Sequence, residues 1–195
     1  MLKAEMKNHL EKAQKEGKVV LFEEELNYVR KEELLTEDNI VVGTTAERFS
    51  DLYMELANKE TDEVVQENID AIFLKEEVQY FEKNIDVYLY VETKAFEVIG
   101  VDSLSLEVDS VFKTYEVLCG LKAPKKKEKE IRSFMEEHLS GDETNYQLMF
   151  NGNDGIWDVN FSLEKVNSFH KNMEIGEALK LAYAFLFALQ GSLTA

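Results

Sequence analysis

Side chains able to do chemistry are few in this chain, and they are scattered. Its three histidines, His9, His138 and His170, form no HxH, HExxH or HxxxH pair, so no zinc site declares itself. The lone cysteine, Cys119, excludes an internal disulfide and a cysteine-ligated zinc. A catalytic thiolate needs an electropositive, partly exposed setting, and Lys122 and Lys125 to Lys127 follow closely in sequence. Strand alternation nevertheless puts Cys119 on the face of Tyr115, Val117 and Leu121, where a small inert core residue is expected. His138 falls on the helical stripe of Phe134 and Met135 and is read as a packing residue. His170, in "NSFHKNME", is read as a loop or helix-end residue.

No GxGxxG, GxxxxGK[ST] or GxSxG is present, so the usual phosphate-cradling and nucleophile-elbow signatures are missing. "NGNDGIWDVNFS" opens like a calcium loop with Asn151, Asn153 and Gly155. Ile156 stands where that loop needs glycine, and Ser162 where it needs glutamate, so a hairpin turn is the better reading. Glu107 and Asp109 share the polar face of one strand, with Glu116 on a neighbouring segment. Three acids on one sheet face can bind a divalent cation or serve as acid and base. A solvated acidic sheet gives the same pattern and is the expected reading. Tyr88 and Tyr90 can line that face too, where coverage by N-terminal helices is expected. No cofactor and no catalytic or metal-ligating residue is assigned.

Charge supplies the remaining candidate. The formal net charge is -17, spread as -10 over residues 1–84 (11 Lys/Arg against 21 Asp/Glu) and -7 over residues 85–195 (11 against 18). Such a surface repels nucleic acid and anionic membranes. Against it, Lys125, Lys126, Lys127 and Lys129 crowd the start of one helix, where the macrodipole favours anions and Lys125 and Lys129 repel at i,i+4. The local cost is a few tenths of a kcal/mol per unfavourable contact. A solvated helix end would look the same. The cluster is also the one place where an acidic partner, including a second copy of the chain, would be attracted, so these four lysines are the candidate protein-docking residues.

The elements that must position these groups follow from hydrophobic periodicity. Residues 1–84 read as mainly helical: Leu2, Met6, His9/Leu10 and Ala13 recur at helical spacing, and Gly17 ends that segment. Leu26, Val29 and Leu34 suggest a second helix. Thr44 or Thr45 can cap a third carrying Phe49, Leu52, Tyr53, Leu56 and Ala57, and further helical segments are read over Val64–Phe73 and Val78–Phe81. "VVLF" and "NIVV" are left between strand and anchor. From Asp86 the period becomes 2: Val87, Leu89 and Val91, then Leu104, Leu106 and Val108, then Tyr115, Val117, Cys119 and Leu121. Residues 94–101 fit either a strand or a helical turn. Pro124 suits the first turn of a helix carrying Ile131, Phe134, Met135 and Leu139. "NYQLMFNGNDGIWDVNFSL" is the clearest hairpin, and a largely apolar helix closes the chain over about Glu174–Gln190.

The expected architecture is α+β: a helical N-terminal region, 1–84, packed on a domain, 85–195, with an antiparallel sheet of about five strands in α-β-β-β-α-β-β-α order, the two forming one unit. That order, with the acidity, resembles type III secretion chaperones and their YbjN-like relatives, which implies a small, often dimeric, non-catalytic protein. "GVDSLSLEVDSVFKTYEVLCGLK" and "WDVNFSL…MEIGEALKLAY" are also similar to a group of small Gram-positive bacterial proteins, some labelled branched-chain aminotransferase. No residue here signals pyridoxal phosphate chemistry. The N-terminus lacks the apolar core of a signal peptide, and "ALKLAYAFLFAL" is too short to span a bilayer. The expectation is a soluble cytoplasmic module that binds another protein or its own copy. The alternative is a small enzyme or ligand-binding protein using the carboxylates and tyrosines of the sheet face.

Overall fold

A computed structural model of the chain describes residues 1–15, 17–34, 40–141 and 145–193. Helix α1 (Leu2–Lys15) buries Leu2, Met6 and Leu10, one apolar residue per turn, and stops at Gly17, whose φ of +93° suits the left-handed turn that ends a helix. "VVL" becomes strand β1 (Val19–Leu21), followed by α2 (Glu23–Lys31). β1 pairs in parallel with β2 (Ile40–Val42), so both ambiguous apolar runs are strands of a two-stranded sheet.

Thr44 caps α3 (Thr45–Arg48) as its sequence suggests. Its hydroxyl accepts from the Glu47 amide at 3.3 Å, and the Glu47 carboxylate accepts from the Thr44 amide at 2.9 Å. The helix then stops after one turn. The helical expectation beyond Phe49 is overturned: Tyr53 to Ala57 lie in strand β3 (Tyr53–Asn58), which Leu52 precedes. Leu56 and Ala57 do sit at helical spacing from Tyr53, yet Met54 and Leu56 also alternate with Tyr53 and Glu55, and cross-strand pairing decides between the two periods. Val64–Phe73 is corrected likewise, to an exposed strand β4 (Val64–Gln66) and a 3-10 turn at Ala71–Lys75. The segment read over Val78–Phe81 does contain a helical turn, α4 (Tyr80–Lys83).

The rest follows the alternation. Strands β5 (Val87–Glu92), β6 (Val101–Val108) and β7 (Tyr115–Leu121) precede α6 (Glu128–His138), with the single turn α5 (Ala95–Val98) between β5 and β6. Residues 94–101 are therefore a helical turn leading into a strand. The hairpin β8 (Tyr146–Asn151) and β9 (Ile156–Ser162) and the terminal helix α7 (Ile175–Leu193) complete the α+β fold. The sheet has seven strands in the order β4-β3-β5-β6-β7-β9-β8, each antiparallel to its neighbours. It thus crosses residue 84 through the β3–β5 pairing, and its two added strands come from the region read as helical.

One sheet face is buried. Met54, Leu89, Val91, Leu104, Leu106, Val117, Leu121, Val159 and Phe161 join the apolar residues of the helices in a single cluster. Tyr53, Tyr88, Tyr90 and Leu118, on the other face, take no part in it. The helices therefore lie on one side, and the expected coverage of Tyr88 and Tyr90 is corrected: that face is open. Helix α7, apolar around most of its circumference, is the central packing element. Phe185 stacks on Phe161 at 4.7 Å, and Tyr183 packs edge-on to Phe22 and Phe49 at 5.5 and 5.7 Å.

The seam between the small sheet and α3 is tight. A Cβ on Gly43 would lie 2.2 Å from Val20 Cγ1, a branched atom close to its own backbone, whereas one on Gly152 meets nothing within 4 Å. Gly43→Ala is therefore expected to lower stability by about 1–3 kcal/mol in urea unfolding, and Gly152→Ala by no more than about 0.5 kcal/mol. Equal effects would show that the seam relaxes.

Candidate functional site

The lysine cluster lies against a sheet edge. Pro124 (φ -59°) leads into a 3-10 turn, Lys125–Lys127, that runs into α6. Ile131, Phe134 and Met135 turn that helix onto the core, leaving Lys125, Lys129, Arg132 and Glu136, spaced four, three and four apart, along its flank. Both ends of this stripe touch β8: Lys125 Nζ stands 5.4 Å from the centre of the Phe150 ring, and the Tyr146 hydroxyl donates to Glu136 at 3.2 Å. Lys129 is thus carried between them. Lys127 is turned aside, half-buried and 3.3 Å from Glu130, and Arg132 is held by Glu128 at 3.0 Å. Lys125, Lys126 and Lys129 are exposed and make no ion pair among the described residues. Among the described residues strand β8 pairs only with β9, so its outer backbone groups have no sheet partner there. Met149 beside them is 66% exposed.

The open sheet face gathers the carboxylates differently from expectation. Glu107 and Glu116 are cross-strand neighbours. Burial raises both carboxyls above the ordinary value; Lys59, 3.5 Å away, counters this at Glu107, and a 2.6 Å hydrogen bond from Thr114 counters it at Glu116. Asp109 does not join them. Its carboxylate accepts from the amides of Val111 and Phe112, at 2.8 and 2.6 Å, and shapes the β6–β7 turn. The phenols of Tyr53 and Tyr90 donate to Glu55 and Glu92, and Tyr88 to Asp62. Among the described residues no cluster of three or more His, Cys, Asp or Glu could hold a metal.

The remaining candidates have structural places. Cys119 is buried, and burial pushes its thiol up to about 12, far from a thiolate at neutral pH. His138 stacks on Phe134 at 4.0 Å, with Nδ1 3.0 Å from the Phe134 carbonyl. His170 is exposed in the turn before α7, its carbonyl accepting from the Met173 amide. The "NGNDG" loop is a hairpin turn in which Asn151 Oδ1 accepts from the amides of Asn153 and Asp154, and Gly155 takes a φ of +72°.

One cluster has no counterpart in the sequence reading. Glu25, Arg48 and Tyr183 are buried together: Arg48 Nε and Nη2 donate to the two Glu25 oxygens at 2.8 and 2.7 Å, and the Tyr183 hydroxyl donates to Glu25 Oε1. The Phe22 amide adds a fourth donor at 2.7 Å. Burial opposes charge on Glu25, but these donors outweigh it and hold the carboxyl below its ordinary value. Arg48 is held above its own against the same penalty. His9 packs nearby on α1, its Nε2 buried without a hydrogen-bond partner. Burial first, and then the Arg48 charge, lower its pKa to about 4. These residues lie far apart in the chain, and a phenol within the apolar middle of α7 is the local sign of such a network.

No protein-family model matches the chain, and no curated protein or solved structure does either.

Two stability measurements follow. Arg48→Met leaves the Glu25 carboxylate buried and unpaired and should cost about 3–5 kcal/mol, while Glu25→Leu combined with Arg48→Met should cost clearly less. Additive losses in urea unfolding would show that the two do not act as a pair. His9 is held neutral, at about 4 against 6.5 for a free imidazole, so the unfolded chain binds the extra proton between those values. Stability should fall by about 2–3 kcal/mol as pH drops from 6.5 to 4. His9→Gln should flatten the upper part of that descent, between pH 6.5 and 5; an unchanged slope would assign it to other groups.

Proposed function

We propose that the chain is a protein-binding module without catalytic chemistry, which docks an acidic, extended segment of a partner along the β8 edge beneath the lysines of α6. The observation that carries this reading is the coincidence of Lys125, Lys126 and Lys129, exposed and, among the described residues, without ion pairs, with the outer edge of a six-residue strand that has no partner among them, on a chain of net charge -17. An added strand would gain main-chain hydrogen bonds from β8, apolar contact from Met149 and charge steering from the lysines. Lys127, paired with Glu130, plays a lesser part. The partner is a second protein or another copy of the chain. A reducing cytoplasmic setting agrees with a lone, buried thiol. Among the described residues no helix is long and apolar enough to cross a membrane.

The test is a binding titration with a short synthetic peptide of alternating glutamate and valine, read by fluorescence anisotropy at low and high salt. Binding should weaken with salt and fall at least about tenfold in the Lys125→Glu/Lys126→Glu/Lys129→Glu variant. A lysine-valine peptide should not bind. Failure of the acidic peptide to bind folded protein, or equal binding by the charge-reversed variant, would overturn the reading. Sedimentation of the chain alone across the same salt range distinguishes self-association from capture of another protein.

A further inference from the structure

Between α1, β1, α3 and α5 lies a groove of about 600 Å³, within the size range of small-molecule sites. Its cations are Lys12, Lys15, Lys18, Arg48 and Lys94, a concentration unusual on so acidic a chain. Of the carboxylates that also line it, Glu47 is taken by the α3 cap and by Lys18 at 3.7 Å, and Asp51 by Lys94 and Thr93. With Glu5 and Glu97, four carboxylates meet five cations in the lining, which is close to neutral where the molecule is strongly negative.

Two deep-set groups set the polarity of this site. Arg48 is only 6% exposed, and its Nε and Nη2 are committed to Glu25. Its remaining nitrogen, Nη1, has no hydrogen-bond partner among the described residues, and the side chain borders the groove. His9 borders it too, with Nε2 buried and unpartnered. Buried polar groups are ordinarily paired, and leaving one unpaired costs free energy. The Glu25 fork and Tyr183 fix the guanidinium in place before any ligand arrives, so little ordering cost remains for binding. The imidazole stays neutral near pH 7, so its protonation reports the charge that enters the groove beside it.

We propose that this groove is a binding site for a small organic anion, whose carboxylate or phosphate oxygens take a hydrogen bond from Arg48 Nη1 while Lys12 and Lys15 attract it from the rim and the His9 ring borders it. The site is independent of the β8 edge. Its occupant is a metabolite-sized anion, because the groove far exceeds the volume of a single inorganic ion and a bulky polyanion would meet the surrounding acidic surface.

The experiment follows the three histidine ring signals by NMR during titration with inorganic phosphate, citrate and a sugar phosphate. Sodium chloride at matched ionic strength is the reference, and spermidine the cationic control. At least one anion should shift His9 saturably, leave His138 and His170 in place, and raise the His9 titration midpoint from about 4, since a bound anion favours the imidazolium. Lys12→Glu/Lys15→Glu, at exposed positions, should weaken that anion about tenfold while the protein stays folded. The proposal is overturned if all three anions leave His9 unmoved, if sodium chloride reproduces the shift, or if spermidine alone produces it.

Discussion

The buried pairing of Glu25 with Arg48 is the constraint around which the N-terminal half is arranged. It joins α2 to α3, and through the Tyr183 hydroxyl it joins both to α7. Phe22, Phe49 and Phe96 pack around the same phenol and exclude water from it. An ion pair in such a place is not a cheap source of stability, because desolvation offsets much of its attraction. What it enforces is geometry. A chain that shifted α3 by one turn relative to α7 would bury a carboxylate without its guanidinium, whereas an apolar contact would tolerate the slip. Since α3 leads directly into β3, the same pairing fixes where the added strands of the sheet begin.

The distribution of charge follows from the one-sided sheet. Only one face is buried, so the polar members of each strand collect on the other, and on this chain most charged members are acidic. Glu107 opposite Glu116 is a like-charge cross-strand pair and mildly unfavourable. Lys59 and Thr114 relieve it, and the neighbouring tyrosines spend their hydroxyls on other carboxylates. The face is thus internally hydrogen-bonded, its acids occupied with their own neighbours.

Where alternation is strong and the turn chemistry local, the sequence was sufficient. β8 and β9 are legible because Leu148 and Phe150, like Trp157, Val159 and Phe161, sit at period 2 on either side of a glycine-asparagine turn. β3 was not, because a six-residue segment containing Tyr53, Leu56 and Ala57 satisfies both periods, and only its partner β5, over thirty residues away, chooses. The lysine cluster was legible as charge, but its place beside β8 was not, since helix–strand adjacency is a tertiary fact. Arg48 was opaque for a sharper reason: nothing around an arginine in "TAERFS" tells that its partner lies 23 residues back. Burial of a charge leaves no periodic trace when the partner comes from another element.

The sheet has two free edges, and they differ in how well they resist pairing. β4 is three residues long, its register with β3 shifts between Leu56 and Ala57, and Asp62, Glu63 and Glu67 flank it. Shortness, irregularity and charge of one sign are the usual means by which an edge is closed to strangers, and they explain how Val64 and Val65 can stand 51% and 61% exposed there. β8 has none of these defences. Its register with β9 is unbroken over six pairs, its apolar members lie partly open, and the lysines that begin α6 beside it are opposite in sign to most of the surface. On an acidic chain a lysine-flanked edge repels little and attracts acidic strands, so the asymmetry between the two edges makes β8, rather than β4, the side on which the sheet can be extended.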